Sequence, residues 1–517
     1  MSMPENNRHK DEHKDQEAGN TKEGPEKQQR ITVWLVSAAF FGAFGSSFLF
    51  GYNVSVVNAP ALFVKNFINK TWIERYGTPV GPETVTLLWS INVSIMAIGG
   101  LHGAIVVKFL VRALGRRGTL LVNNCFSLVA AVLQASGERA HYFEMFIIGR
   151  FIIGINTGIS LSALPMYLGE ISPRHIRGSI TQFNAILINM GVLTGQIMGL
   201  PEVLGQESRW NFLFAFIALP ALLQLSVLSF LPESPRYLLM EKKDKAGAEK
   251  AFRRFLGKED VTSELAEVQA ESQAQNLQIV SVLGLLRNRA VRWQIITVIV
   301  TMACFQLSGV NALFYYTNVI LTDAGITDSL VTYITLSIGG IGVISTVISG
   351  LLIERVGRRP LLVVGFSGLA VCYSLLTVFL NIQDTVSWMP YVSFACILAA
   401  IAIFCLGLAG TTYILTSELF EQAYRPAAFL IGGSVFWLCN FTVGLVFPFI
   451  QEALQTYVFL VFVVVCSTGA VYLFIVLPET KNKTFVDISQ SFAKRNKISN
   501  IRSENVKVYF FPETQTV

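Results

Sequence analysis

The chain has 517 residues, of which 52% are apolar and only 14% are charged, against roughly 25% charged in an ordinary soluble domain. Its charges are clumped between long apolar stretches, which excludes a water-soluble globular protein and marks a polytopic membrane protein. The formal net charge of +6 does not point to nucleic acid, because Lys and Arg lie in loops beside apolar runs rather than on one continuous basic face.

In chain order, residues 1–30 are polar with both charge signs and read as a disordered cytosolic tail. The spacing between charges then predicts twelve spans, near 32–60, 84–107, 118–137, 143–168, 178–200, 210–231, 292–320, 329–353, 360–381, 388–416, 426–450 and 455–477. Residues 31–231 make a first six-helix bundle, 232–291 a cytosolic linker with short surface helices, 292–477 a second six-helix bundle, and 478–517 a cytosolic C-terminal tail. Basic residues gather on one side of the spans: Lys108, Arg112, Arg116 and Arg117, then Arg174 and Arg177, then Arg355, Arg358 and Arg359. By the positive-inside rule that side is cytoplasmic, and an even number of spans returns both termini to the cytosol.

The two halves repeat. Gly115-Arg116-Arg117 recurs as Gly357-Arg358-Arg359, Glu170 with Arg177 as Glu418 with Arg425, and Pro232-Glu233-Ser234 as Pro478-Glu479-Thr480, at offsets of 242, 248 and 246 residues. Three motifs in one order indicate a duplicated six-span unit, so the fold expected is all-α, with two six-helix bundles related by a pseudo-two-fold axis and the solute site between them.

Charges near a span belong at its ends or in pairs, because a lone charge at the bilayer centre costs about 2.5–3.5 kcal/mol on insertion scales. Glu170, Arg177, Glu354, Arg358, Glu418 and Arg425 fit that rule and are candidates for ion pairs that clamp the bundles shut on the cytoplasmic side. Snorkelling topology signals are the alternative reading. Arg150 interrupts an apolar run and calls for a carboxylate from a neighbouring helix. A neutral polyol is held by neutral hydrogen-bonding groups and flat apolar surfaces. The candidates are Gln306, Asn311 and Tyr315 around a breakable Ser308-Gly309 turn, Trp437 and Asn440 on one helix face, Tyr413, Trp89, and Asn53. A helix–helix hydrogen bond is the alternative for each amide, and an interfacial anchor for Trp89. Asn69-Lys70-Thr71 is the glycosylation sequon that this topology leaves outside.

No span carries an acid near its centre, so proton coupling lacks its usual carrier, and no phosphate-cradling P-loop offers ATP a site. The seven cysteines all lie in apolar stretches without metal-ligand spacing, so no metal or cofactor is expected. No nucleophile, base and orienting group can be assembled from the spans, which argues against an enzyme. A non-transporting nutrient sensor would carry long cytosolic extensions, and the tail after Leu477 is short.

Several motifs together resemble the facilitative sugar transporters of the major facilitator superfamily, over nearly the whole chain from Gly42 to Thr484. They are Phe50-Gly51-Tyr52-Asn53, Gly149-Arg150, Pro165-Met166-Tyr167 with Glu170, Pro232-Glu233-Ser234-Pro235-Arg236, Gln306-Leu307-Ser308-Gly309-Val310-Asn311, Glu418-Leu419-Phe420 with Arg425-Pro426, and Pro478-Glu479-Thr480-Lys481. The resemblance implies an energy-independent uniporter of the plasma membrane working by alternating access, with Gln306, Asn311, Trp437 and Asn440 at sugar-contacting positions. Phe305, Ala185, Gly342, Cys405 and Tyr413 depart from the glucose-carrying members and look like the second class of the family, the fructose and urate carriers. Leu88-Trp89-Ser90 and Thr301-Met302-Ala303-Cys304 look closest to the urate-carrying member, while Phe436 replaces an Asn found in both glucose and urate carriers. The solute expected is a hexose such as fructose or glucose, with urate the alternative.

Overall fold

The computed structural model describes residues 32–496 apart from 174–176, 276–280, 324, 387, 421–422, 482, 484 and 494. The N-terminal tail, Arg174 and residues 497–517 of the C-terminal tail therefore lie outside the described residues, as do the side chains of Arg177 and Glu354. Among the described residues the backbone is helical and no strand forms.

Nine stretches are long and apolar enough to cross a membrane. Two of them are double. The helix Pro82–Ser136 turns at Gly115, and Arg425–Val476 turns at Gln455–Tyr457. With the fifth span, Arg177–Met198, the count reaches the twelve expected. The remaining spans are Val33–Ser55, Phe143–Ile171, Trp210–Leu228, Arg289–Asp323, Leu330–Ile353, Arg358–Asn381 and Met389–Leu419. Large apolar side chains such as Phe109, Val132, Leu351 and Phe474 stand exposed around this bundle, the surface that lipid covers.

Small residues set the tightest contacts. A Cβ on Gly99, Gly103, Gly154 or Gly158 would lie 2.1–2.3 Å from a carbonyl oxygen of the facing helix, so the second and fourth spans meet backbone to backbone. Van der Waals packing of this kind replaces the hydrophobic drive that lipid cannot supply between helices.

The repeated motifs fold alike. Gly115 and Gly357 adopt φ of 83° and 101°, a region that side-chain-bearing residues rarely occupy. Each is the hinge of a helical hairpin, and each faces a glutamate from the repeated Pro-Glu segment. A Cβ would lie 2.5 Å from Glu233 Oε2 in the first half and 2.9 Å from Glu479 Oε2 in the second. The glycine thus allows both the turn and the approach of the carboxylate.

Four short helices, Pro235–Met240, Lys245–Leu256, Thr262–Gln275 and Val282–Arg287, connect the halves. Ala248, Phe252, Leu256, Val261, Leu265 and Val268 give them a small apolar core of their own. Thr32 Oγ1 donates to the Phe255 carbonyl and the Arg254 guanidinium lies over the Trp34 ring, tying this cap to the first span. One helix was not anticipated. Ala61–Tyr76 follows the first span, with Gly77 closing it in the left-handed conformation.

Candidate functional site

The seventh span breaks where the sequence allows it. Its first helix ends at Gln306, a second begins at Val310, and Gly309 between them has φ of 91°. The break brings Asn311 back onto Gln306, and Asn311 Nδ2 donates to Gln306 Oε1. Gln306 is 1% exposed and its Nε2 has no partner, a buried donor waiting for an acceptor. One helical turn past Asn311, the Tyr315 hydroxyl donates to Asn440 Oδ1 at 3.0 Å, and Trp437 lies one turn before Asn440. The Trp437 ring rests on Gly100 of the opposite half, where a Cβ would come within 2.6 Å, and meets the edge of Phe50 at 6.3 Å.

Aromatic rings line the wall beside these amides. Phe305 stacks on Phe404 at 4.9 Å and on Phe436 at 6.2 Å, and Tyr413 meets both Phe305 and Phe436. Phe436 in turn sets its edge against Trp437 at 5.1 Å. Tyr413 belongs to this cluster and is 42% exposed. Cys405 and Phe404 lie in a π-turn, Phe404–Leu408, a helical irregularity frequent at functional sites.

Not every candidate joins this group. Trp89 is buried, with Lys65 of the Ala61–Tyr76 helix over its ring at 6.0 Å. Asn53 is fully buried and donates from Nδ2 to the Leu49 carbonyl. Its carbonyl and Oδ1 accept from Arg150 Nη1 at 3.1 and 3.5 Å, and Arg150 lies within electrostatic reach of the Tyr315 hydroxyl. The carboxylate expected for Arg150 is not found among the described residues. Its partners are instead carbonyl oxygens of Asn53 and Asn92. For Asn53 the reason is that the first span ends at Ser55, leaving its last carbonyls unpaired and negative, a place that suits a cation; the Asn92 carbonyl is inside its helix. Arg150 Nη2 and both side-chain polar atoms of Asn92 remain unpartnered.

At the arginine-rich ends the described ion pairs stay within one half. Arg116 meets Glu170 at 2.9 Å and Glu241 at 2.6 Å, and Ser234 Oγ donates to Glu170. In the second half Arg358 meets Glu418 at 3.0 Å, and Thr480 Oγ1 donates to Glu418 at 2.6 Å. The sequence repeat is thus a repeat of geometry, with Arg116 in the role that Arg358 fills. Glu233 accepts from the backbone N–H groups of Arg116, Arg117 and Gly118, and Glu479 from those of Arg358, Arg359, Thr480 and Lys481. Partial burial works against ionisation of Glu479, but those four donors hold its carboxyl below the usual carboxylate range. Arg425 is exposed and donates Nε to the Phe420 carbonyl.

Hydrogen bonds between the halves lie nearer the other end. Asn58 and Asn318 bond reciprocally, with Asn58 Nδ2 donating to Asn318 Oδ1 at 3.2 Å and Asn318 N–H to Asn58 Oδ1 at 3.3 Å. Gly339 N–H donates to Gln196 Oε1 at 3.1 Å and Tyr333 donates to Glu202, while midway along the spans Asn189 donates to Thr346 at 2.9 Å. A residual cavity of about 10 Å³ among Ser55, Asn58, Gln196, Asn318 and Thr335 holds one water at most, so a monosaccharide has no passage there. Sequence reasoning missed this closure, since Asn189, Gln196 and Asn318 are single amides with no motif to mark them.

Asn69 lies half-buried in the Ala61–Tyr76 helix with Oδ1 accepting from Val80 N–H, and Thr71 of the sequon is buried. His102 is exposed, with Nδ1 2.8 Å from the Ile98 carbonyl and its ring edge-on to Phe151.

Against known proteins, residues 38–492 match the family model described as "Sugar (and other) transporter". Mouse solute carrier family 2, facilitated glucose transporter member 9, is 58% identical over 475 residues, covering 91% of this chain and 88% of the relative. The horse facilitated glucose transporter member 5 is 45% identical over 476 residues, covering 92% and 95%. Among solved structures, the inward open conformation of the xylose transporter XylE from E. coli superposes with a TM-score of 0.72 at 24% identity, over 88% of this chain and 99% of that one.

Proposed function

Because the chain belongs to the sugar transporter family, we propose that it is a facilitative uniporter that moves a hexose such as fructose or glucose across the plasma membrane by alternating access. It is a carrier and not an enzyme. The observation that carries the reading is the second-half cluster of Gln306, Asn311, Tyr315 and Asn440, backed by the rings of Trp437, Phe305 and Tyr413 and facing the first half where Trp437 meets Gly100 and Phe50. Neutral donors and acceptors replace the hydration of a polyol, and the rings cover its C–H faces. The absence of a carboxylate beside Arg150 among the described residues leaves no proton carrier there, in keeping with transport down a gradient.

The arginine-rich ends face the cytosol by the positive-inside rule, and both termini lie on that side. With contacts between halves drawn to the opposite end, the structure corresponds to an inward-facing state. In the outward-facing state Arg177 and Arg425 close onto the carboxylate clusters of the opposite half, around Glu418 and Glu170, with Glu354 and Arg358 holding those clusters in place, while Arg150, bonded to the Asn53 and Asn92 carbonyls, takes no part in this gate. Closure of this kind exchanges bonds within a half for bonds between halves.

A second reading, urate, is favoured by one feature of the site: five stacked or edge-set rings, Phe305, Phe404, Tyr413, Phe436 and Trp437, suit a flat heteroaromatic solute better than a puckered ring. Radiolabelled uptake of fructose, glucose and urate into one expressing cell type tests both. Electroneutral uptake competed by fructose supports the hexose. Voltage-dependent currents support urate, since each charge crossing the membrane feels about 2.3 kcal/mol per 100 mV. Uptake of none of the three by correctly inserted protein rejects both.

A further inference from the structure

We propose that Asn189 is a selectivity-determining residue that supplies a solute-facing amide from the first half to the wall formed by the eighth and tenth spans. The inference rests on the uniporter reading and adds a residue to its site.

Asn189 lies on the fifth span, half-buried, and reaches across to the second half. Its Nδ2 donates to Thr346 Oγ1 of the eighth span at 2.9 Å, and its Oδ1 accepts from the Cys405 thiol of the tenth span across 3.9 Å. Cys405 follows Phe404, whose ring stacks on Phe305. The amide therefore sits opposite the aromatic cluster, one residue removed from the ring that begins it. The space it fills exists because two neighbours are small. A Cβ on Gly342 would lie 2.8 Å from Asn189 Oδ1, and Ala185 occupies the preceding turn of the fifth span. Any side chain at 342 would displace the present rotamer of Asn189.

The bonds that hold the amide are replaceable by solute. The thiol is a weak donor at long range, and the Nδ2 bond to Thr346 is a neutral one between halves that separate during the transport cycle. When they part, Nδ2 keeps its bond to the Ala185 carbonyl of its own helix at 3.3 Å, and the amide presents one acceptor and one free donor to the space between the halves. Its position, fixed by Gly342 and Cys405, decides which solute hydroxyl or ring nitrogen it meets. A site built to pair a polar group rejects an analogue that leaves the pair unmade.

The test is concentration-dependent uptake of fructose, glucose and urate by cells expressing full-length wild type, Asn189→Ala, Asn189→Ser and Thr346→Val, normalised to surface protein. Losing one neutral hydrogen bond to solute raises KM about fivefold to tenfold. The expected result is such a rise for the preferred solute with Asn189→Ala, a smaller rise with Asn189→Ser, and a changed ratio between solutes. Thr346→Val breaks the bond between halves while keeping the amide, and it retains the wild-type ratio. An unchanged ratio in Asn189→Ala, or the same change in Thr346→Val, overturns the proposal and makes Asn189 a latch only. Wild type that moves none of the three solutes defeats the transport reading itself, a result distinguishable from a wild type that transports and a variant that does not change the ratio.

Discussion

Replacing Gly115 with alanine tests how the hairpin hinges hold the cytoplasmic ends together. At φ 83° and ψ −178° the residue occupies a region almost confined to glycine, and a side chain there costs about 1–3 kcal/mol. The added Cβ would also lie 2.5 Å from Glu233 Oε2 and 2.8 Å from Tyr237 Cε1. Glu233 must then withdraw from the backbone N–H groups of Arg116, Arg117 and Gly118, and a charge-assisted bond is worth about 1.5–3 kcal/mol. Water recovers part of that loss at this half-buried site, so the sum is about 4 kcal/mol. With an unfolding entropy of about 2.1 cal/mol/K per residue, the midpoint falls by about 4 °C. The assay is thermal unfolding of purified protein in detergent, with Gly169→Ala as reference. Gly169 is helical and a Cβ there meets nothing within 4 Å, so that change stabilises by about 0.5–1 kcal/mol. Equal melting of the two variants would refute the argument that turn geometry and carboxylate approach both require glycine at 115.

Three further outcomes follow from other parts of the structure. Arg425→Ala lowers transport velocity several-fold with surface abundance unchanged, and unaltered uptake kinetics would remove Arg425 from the gate. Glu479→Gln destabilises the second hairpin. Because the folded carboxyl titrates below its unfolded value of about 4.3, its contribution is present above that pH and is lost as pH falls through the folded value. The melting difference from wild type is therefore constant from pH 5.5 to 8 and closes in stronger acid, and a gap that widens on acidification would contradict the sign. Enzymatic deglycosylation shifts the wild-type band and leaves Asn69→Gln unmoved; a wild-type band that does not shift shows Asn69 to be unmodified.

How much of this could be read from the sequence depended on repetition and on residue type. Gly115 and Gly357, Glu170 and Glu418, and Glu233 and Glu479 were legible because each motif occurs twice, and a duplicated motif implies a duplicated contact. The break in the seventh span was legible because Ser308-Gly309 lacks the side chains that stiffen a helix. Arg150 was misread, because a sequence shows carboxylates but not the unpaired carbonyls at the end of the first span. Arg116 was counted as a topology signal although it is the geometric counterpart of Arg358. The Ala61–Tyr76 helix was missed, as its polar and apolar residues follow no clear helical period. Asn189 and Asn318 were missed for a different reason: a single amide in a span carries the same letter whether it bonds a neighbouring helix, the opposite bundle or a solute.

The central claim is a duplicated pair of bundles that lets a hexose or urate through without an energy source. Purified protein in liposomes, given radiolabelled fructose, glucose or urate on one side with no ATP and no ion gradient, is expected to equilibrate at least one of them and to stop at equal concentrations. No movement of any of the three by folded protein, or accumulation above equality once an ion gradient is imposed, would contradict it.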